Sequence, residues 1–137
     1  MTQDEAYEAV ANAFTTFWNS ETPIAWDDNE FKADNKSEFV RFSWQIQSGS
    51  QASLGDNALQ RYEGILFVQV FTTRGKGLQS KRNRILQERI ITFLTGEAIK
   101  QLPVVFRNAG PRYVGPTNAW QQANVSSEFW FDAIRAS

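Results

Sequence analysis

Apolar and polar positions along the chain change period several times. Tyr7, Val10, Ala11, Phe14, Phe17 and Trp18 recur at helical spacing on one stripe, which predicts an amphipathic helix of about four to five turns. Thr2 followed by Glu5 fits a capping box, with Asp4 and Glu5 well placed against the helix dipole. "NSETP" ends the segment, because Pro23 disfavours helical backbone at Thr22. "PIAWDDNEFK" reads as a short strand entering a polar turn. "EFVRFSWQIQ" then alternates. Val40, Phe42, Trp44 and Ile46 share one face, and Arg41, Ser43, Gln45 and Gln47 share the other. That pattern predicts a half-buried strand. Ser48 to Asn57 is small, polar and glycine-bearing, and reads as a mobile loop.

A second strand is predicted from Leu59 to Thr72. Leu66, Val68 and Val70 lie on one face and Ile65, Phe67 and Phe71 on the other. A strand apolar on both faces is expected to be central and covered twice, once by a helix and once by a second layer or another subunit. Leu78 to Leu94 reads as a helix, with Leu78, Ile85, Leu86, Ile90, Phe93 and Leu94 near one stripe and Gly96 as a left-handed C-terminal cap. "LPVVFRN" and "NVSSEFWFDAI" read as two late strands, joined by a long Gly- and Pro-bearing connection from Ala109 to Ala119. The order helix, strands, helix, strands predicts one α+β domain over residues 1–137, a mostly antiparallel sheet packed against two helices.

Composition narrows the chemistry. The chain has no cysteine and no histidine, so thiolate nucleophiles, disulfides, Cys-based metal sites and every His-dependent dyad are excluded. No apolar run approaches the roughly 18 residues of a membrane span, and the acidic "MTQDEAYEAV" is unlike a signal peptide. Net charge is −1, but its distribution is uneven. Residues 1–38 carry nine acids against Lys32 and Lys36, whereas residues 74–89 carry six bases against Glu88. Separate blocks of opposite sign suit a protein that meets copies of itself or a charged partner.

"RGKG", Arg74 to Gly77, follows a strand and precedes a helix. It lacks the first glycine and the hydroxyl of a phosphate loop, and Ser80 stands where a dinucleotide fingerprint needs glycine. Asp27, Asp28 and Glu30 lack the glycine and distal glutamate of a calcium loop, and read as a solvated turn. Lys81, Arg82 and Arg84 in the first turns of a helix could grip a nucleic-acid backbone, but the chain is not basic overall. No catalytic residue, metal site or cofactor is expected; an enzyme would need a carboxylate constellation from scattered residues such as Asp27, Glu30 and Asp56.

The segment order and "RYEGILFVQVF…RGKG" resemble the tail terminator, or minor tail protein U-like, family of tailed bacteriophages, above all at Gly64-Ile65 and Val68-Gln69-Val70. The resemblance covers nearly the whole chain in architecture. It implies a non-enzymatic homo-oligomeric ring, usually a hexamer, in the virion tail and in the host cytoplasm during assembly. Such a ring caps the tail tube, ends its polymerisation and joins the tail to the head. The implied partners are the chain itself, the major tail tube protein and a head-completion protein, with DNA passing through without specific binding and no membrane. A neighbouring head-tail joining protein and a small nucleic-acid-binding accessory protein are the alternatives.

A closed ring needs two different complementary patches on each subunit. The expected interface residues are Arg74, Lys76, Lys81, Arg82, Arg84, Asp27, Asp28 and Glu30. The expected docking loops are marked by Ser48, Gly49, Gly55, Asp56, Arg112 and Tyr113.

Overall fold

The structure, a computed structural model, describes residues 1–27, 38–51, 59–73, 77–117 and 120–134. The first helix, α1, spans Gln3–Trp18. The Thr2 hydroxyl accepts from the Glu5 N–H at 3.2 Å, and the Thr2 N–H donates to the Glu5 carboxylate at 3.3 Å. Two amides that the helix itself leaves unpaired are thus satisfied. The helix stops at Asn19, which turns left-handed at φ 49° and donates its N–H to the Thr15 carbonyl. Ala6, Val10, Phe14 and Trp18, each four residues after the last, are its buried stripe.

Five strands form one sheet in the order β1-β2-β3-β5-β4: β1 (Ile24–Trp26), β2 (Glu38–Gln51), β3 (Leu59–Thr73), β4 (Val105–Thr117) and β5 (Trp120–Ile134). The β1 strand lies parallel to β2, and every other pair is antiparallel. Helix α2 (Gly77–Thr95) and the one-turn α3 (Glu97–Lys100) connect β3 to β4. The fold is therefore α+β, in the order helix, strands, helix, strands. The β3 strand is central, as its two apolar faces predict, and pairs along its length with β2 and β5.

The core occupies one face of this sheet. Val40 and Phe42 of β2, Leu66, Val68 and Val70 of β3, and Val125, Phe129 and Phe131 of β5 pack with Phe14 and Trp18 of α1 and Leu86, Ile90 and Phe93 of α2. Each such side chain contributes roughly 1.5–3 kcal/mol by leaving water. Phe14 is a hub, with ring centroids 5.3–5.4 Å from those of Trp18, Phe42 and Phe93.

Gly64 lies where two elements meet too closely for a side chain. A Cβ there would sit 2.1 Å from the Gln45 carbonyl oxygen and 2.6 Å from Phe129 Cζ. Its bareness lets Phe129 lie flat against Trp44 from β2, ring centroids 3.9 Å apart.

Several expectations are corrected. Ser48 and Gly49 are not in a loop: β2 continues through them, with Gly49 opposite Tyr62, after a register shift between Ile46 and Ser48. Arg112 and Tyr113 are not in a long connection: β4 runs to Thr117 and β5 begins at Trp120. Pro111 and Pro116 are tolerated because β4 is an edge strand, and shifts at Arg107/Gly110 and Tyr113/Gly115 absorb the irregularity. Gly96 is not a left-handed cap; it is extended at φ −91° and begins α3. A Cβ at Gly96 would stand 2.7 Å from the Thr92 carbonyl, so the sharp turn between α2 and α3 excludes a side chain. Ile85 is not in the core stripe of α2 and is 43% exposed.

Candidate functional site

Both long helices contribute to the core on one face of the sheet. Over the opposite face lies no described helix. Alternation places Phe71, Gln69, Phe67, Ile65, Glu63 and Arg61 of β3 on that outer face, since Tyr62, Leu66, Val68 and Val70 point into the core. Ile65, Phe67 and Phe71 are half-buried there. The second cover that the sequence demands is thus not supplied by any described element.

The outer face has three regions. At one end Phe39 stacks on Phe71 at 4.6 Å, with Trp120 set edge-on to Phe39 at 5.1 Å. In the middle, Ser43, Gln45, Phe67, Gln69 and Asn124 line a shallow depression of about 280 Å³. At the other end Arg61 donates two hydrogen bonds to Asp132 across the β3/β5 pair, at 2.8 and 3.0 Å. Its guanidinium also lies 4.0 Å from the Trp130 ring centre. The paired hydrogen bonds from Arg61 hold the Asp132 carboxyl below the ordinary carboxylate range, against the opposing effect of burial. Leu59, Val105 and Ile134 are exposed around this end. An arginine and a tryptophan fixed among exposed aliphatics is the composition of an energetic centre in protein interfaces.

The second feature is the first half of α2. Arg82 donates from Nε and Nη2 to Glu38 and from Nη1 to Glu21. The acidic and basic blocks of the sequence therefore meet inside one chain at this point. Asn83, 2% exposed, donates to the Thr72 hydroxyl and the Gln121 carbonyl, both at 3.0 Å, and accepts from Gln87 at 2.7 Å. These bonds fix the start of α2 to β3 and β5. Further along, Arg89 donates to the Phe17 carbonyl at 2.9 Å and lies over the Phe17 ring. The last turn of α1 has no basic residue of its own; α2 supplies the cation that its carbonyl end favours.

Lys81 and Arg84 are exposed on the outward side of α2. Asp27 is exposed too and accepts from the Ser43 hydroxyl at 2.9 Å, at the edge of the outer face. Arg74, Lys76, Asp28, Glu30, Gly55 and Asp56 lie outside the described residues. Of the expected interface residues that are described, the structure keeps Lys81, Arg84 and Asp27 at the surface and commits Arg82 to internal pairs. Trp130, Arg61 and Val105 were not singled out by the sequence; their signal was the outward alternation of β5, β3 and β4, read correctly only once those strands are placed side by side. Among the described residues no group of three or more carboxylates is placed to hold a metal ion, and no helix is long and apolar enough to cross a membrane.

No protein-family model matches the chain, and no curated protein matches it. A solved structure shares the fold, at 17% sequence identity over 100% of this chain and 99% of that one, with a TM-score of 0.66. At that identity the likeness is one of fold alone.

Proposed function

We propose that this chain is a structural subunit of a phage tail, forming a ring that caps the tail tube, ends tube polymerisation and joins the tail to the head. The reading rests on the order of segments and on one observation: a sheet whose described helices lie on one face, and whose outer face carries aromatic and aliphatic side chains. A half-buried Ile65, Phe67 and Phe71 on a central strand are stabilised by a further protein layer. In a ring, that layer comes from the neighbouring subunit or the tube.

The test is direct. Electron microscopy of the purified chain is expected to show closed rings. Added to a polymerising tail-tube protein, the chain is expected to shorten the tubes and appear at one end. Tubes of unchanged length with no end density would contradict the proposal. A neighbouring head-tail joining role is separated by the same images, because such a protein binds the head side and leaves tube length unchanged.

A further inference from the structure

Two patches on opposite sides of the sheet have matching chemistry. The outward stripe of α2 is made by Lys81, Arg84, Ile85 and Glu88, spaced i, i+3, i+4 and i+7, and all four are exposed. Ile85 sits at its centre with 43% of its surface in water.

The other patch is on the outer sheet face. Register puts Val105, Trp130 and Glu63 in one cross-strand row, and Arg107, Glu128 and Ile65 in the next. Val105 is 45% exposed, and Glu63 and Glu128 are both exposed. The patch is an apolar centre bordered by the carboxylates of Glu63 and Glu128, with Arg107 opposite Glu128 and the Arg61 guanidinium over the Trp130 ring. Asp132 is paired with Arg61, and Glu128 faces Arg107 and accepts from Asn108. Glu63 feels the Arg61 charge without a direct ion pair to it, and is the carboxylate of the three with room for a closer cation.

We infer that the Lys81–Arg84–Ile85 stripe of one copy packs across the Val105–Trp130–Glu63 end of the outer sheet face of the next copy. The inference rests on the ring reading and names its subunit contact. Glu63 and Glu128 are diagonal cross-strand neighbours, about 7–8 Å apart. Lys81 and Arg84 are one helical turn apart, about 5–6 Å between Cβ atoms. Their long side chains span the difference while Ile85 meets Val105 and Trp130. The helix gives the sheet the second layer that none of its described elements supplies. Because α2 lies on the inner face and Val105 on the outer, the two patches of one chain do not meet. The contact joins two different surfaces of two copies, the head-to-tail geometry that forms a ring where its rotation closes.

The chain contains no cysteine, so introduced thiols report cleanly. The Ile85→Cys/Val105→Cys variant, treated with a thiol oxidant, is expected to give a ladder of covalent oligomers that collapses on reduction. Each single variant is expected to stay at monomer size on the denaturing gel. Reversing Lys81→Glu and Arg84→Glu is expected to weaken association at low salt by about tenfold or more, and adding Glu63→Lys and Glu128→Lys is expected to restore it. Light scattering separates the two failures. An oligomer of wild-type mass with no ladder overturns this contact and leaves the ring. A chain that stays monomeric at every concentration overturns both. A covalent dimer from either single variant overturns the head-to-tail arrangement.

Discussion

Arg82 grips Glu38 with two parallel hydrogen bonds, 2.8 and 2.9 Å long, and uses its remaining nitrogen on Glu21. Its partners come from the acidic N-terminal block, and Arg89 is bonded to the Phe17 carbonyl, so at least two of the six bases of residues 74–89 are engaged within the subunit. In the proposed subunit contact the charge is therefore carried by its neighbours Lys81 and Arg84. The Arg82→Ala variant is expected to lose roughly 1 kcal/mol of stability, given how exposed the three groups are, with oligomer mass unchanged. Urea denaturation beside light scattering checks both halves. A change of mass without a change of stability would reverse the assignment.

Gly64→Ala is expected to be far more damaging than its one added carbon suggests. The Cβ would stand 2.1 Å from a backbone oxygen of β2 and 2.6 Å from Phe129. Neither the ladder nor the stacked Trp44–Phe129 pair has room to yield. A loss of roughly 3 kcal/mol is expected from overpacking, with a changed near-ultraviolet circular dichroism from the two rings. Wild-type stability in this variant would refute the close-approach account.

Asn83→Ala removes a side chain that ties α2 to two strands through bonds to the Thr72 hydroxyl and the Gln121 carbonyl. Deleting buried hydrogen bonds of this kind costs roughly 1–3 kcal/mol. Hydrogen exchange is expected to rise first in the N-terminal turns of α2 and in the facing end of β3. Uniform exchange across the chain would mean that the network is not what holds this helix start.

The Arg61–Asp132 pair predicts a pH dependence with a definite sign. The folded-state pKa of Asp132 lies below its unfolded value because Arg61 hydrogen-bonds the charged form. Its stabilising contribution is therefore complete above the unfolded carboxylate value of about 4 and is lost as pH falls through the folded value. Asp132→Asn is expected to lower the urea midpoint at pH 7, and the gap to wild type is expected to close in acid below that range. A gap that stayed constant with pH would assign the effect to packing rather than charge.

Much of the fold was legible because it is written in local periodicity. The capping box at Thr2 and Glu5, the helical stripe through Val10, Phe14 and Trp18, and the two-sided strand from Leu59 all appear where the pattern puts them. What the sequence concealed was non-local. Ser48 and Gly49 look like loop residues, yet the facing Glu63 and Tyr62 give them a ladder to join. Pro111 and Pro116 look like strand breakers, yet an edge strand has a side on which a missing N–H costs nothing. Ile85 falls close enough to the core stripe of α2 to be counted with it, and only the packed helix reveals that it points outward. The candidate surface was hidden for the same reason. Val105, Trp130 and Glu63 are far apart in the chain and become one row only through the β3-β5-β4 register.

The most direct measurement of the central claim is the mass of the native chain by light scattering at low and high salt. The account predicts one discrete oligomeric mass at low salt, independent of concentration above a threshold, shifting toward monomer as salt screens the Lys81, Arg84 and Glu63 contacts. A monomeric mass at low salt and high concentration would contradict it.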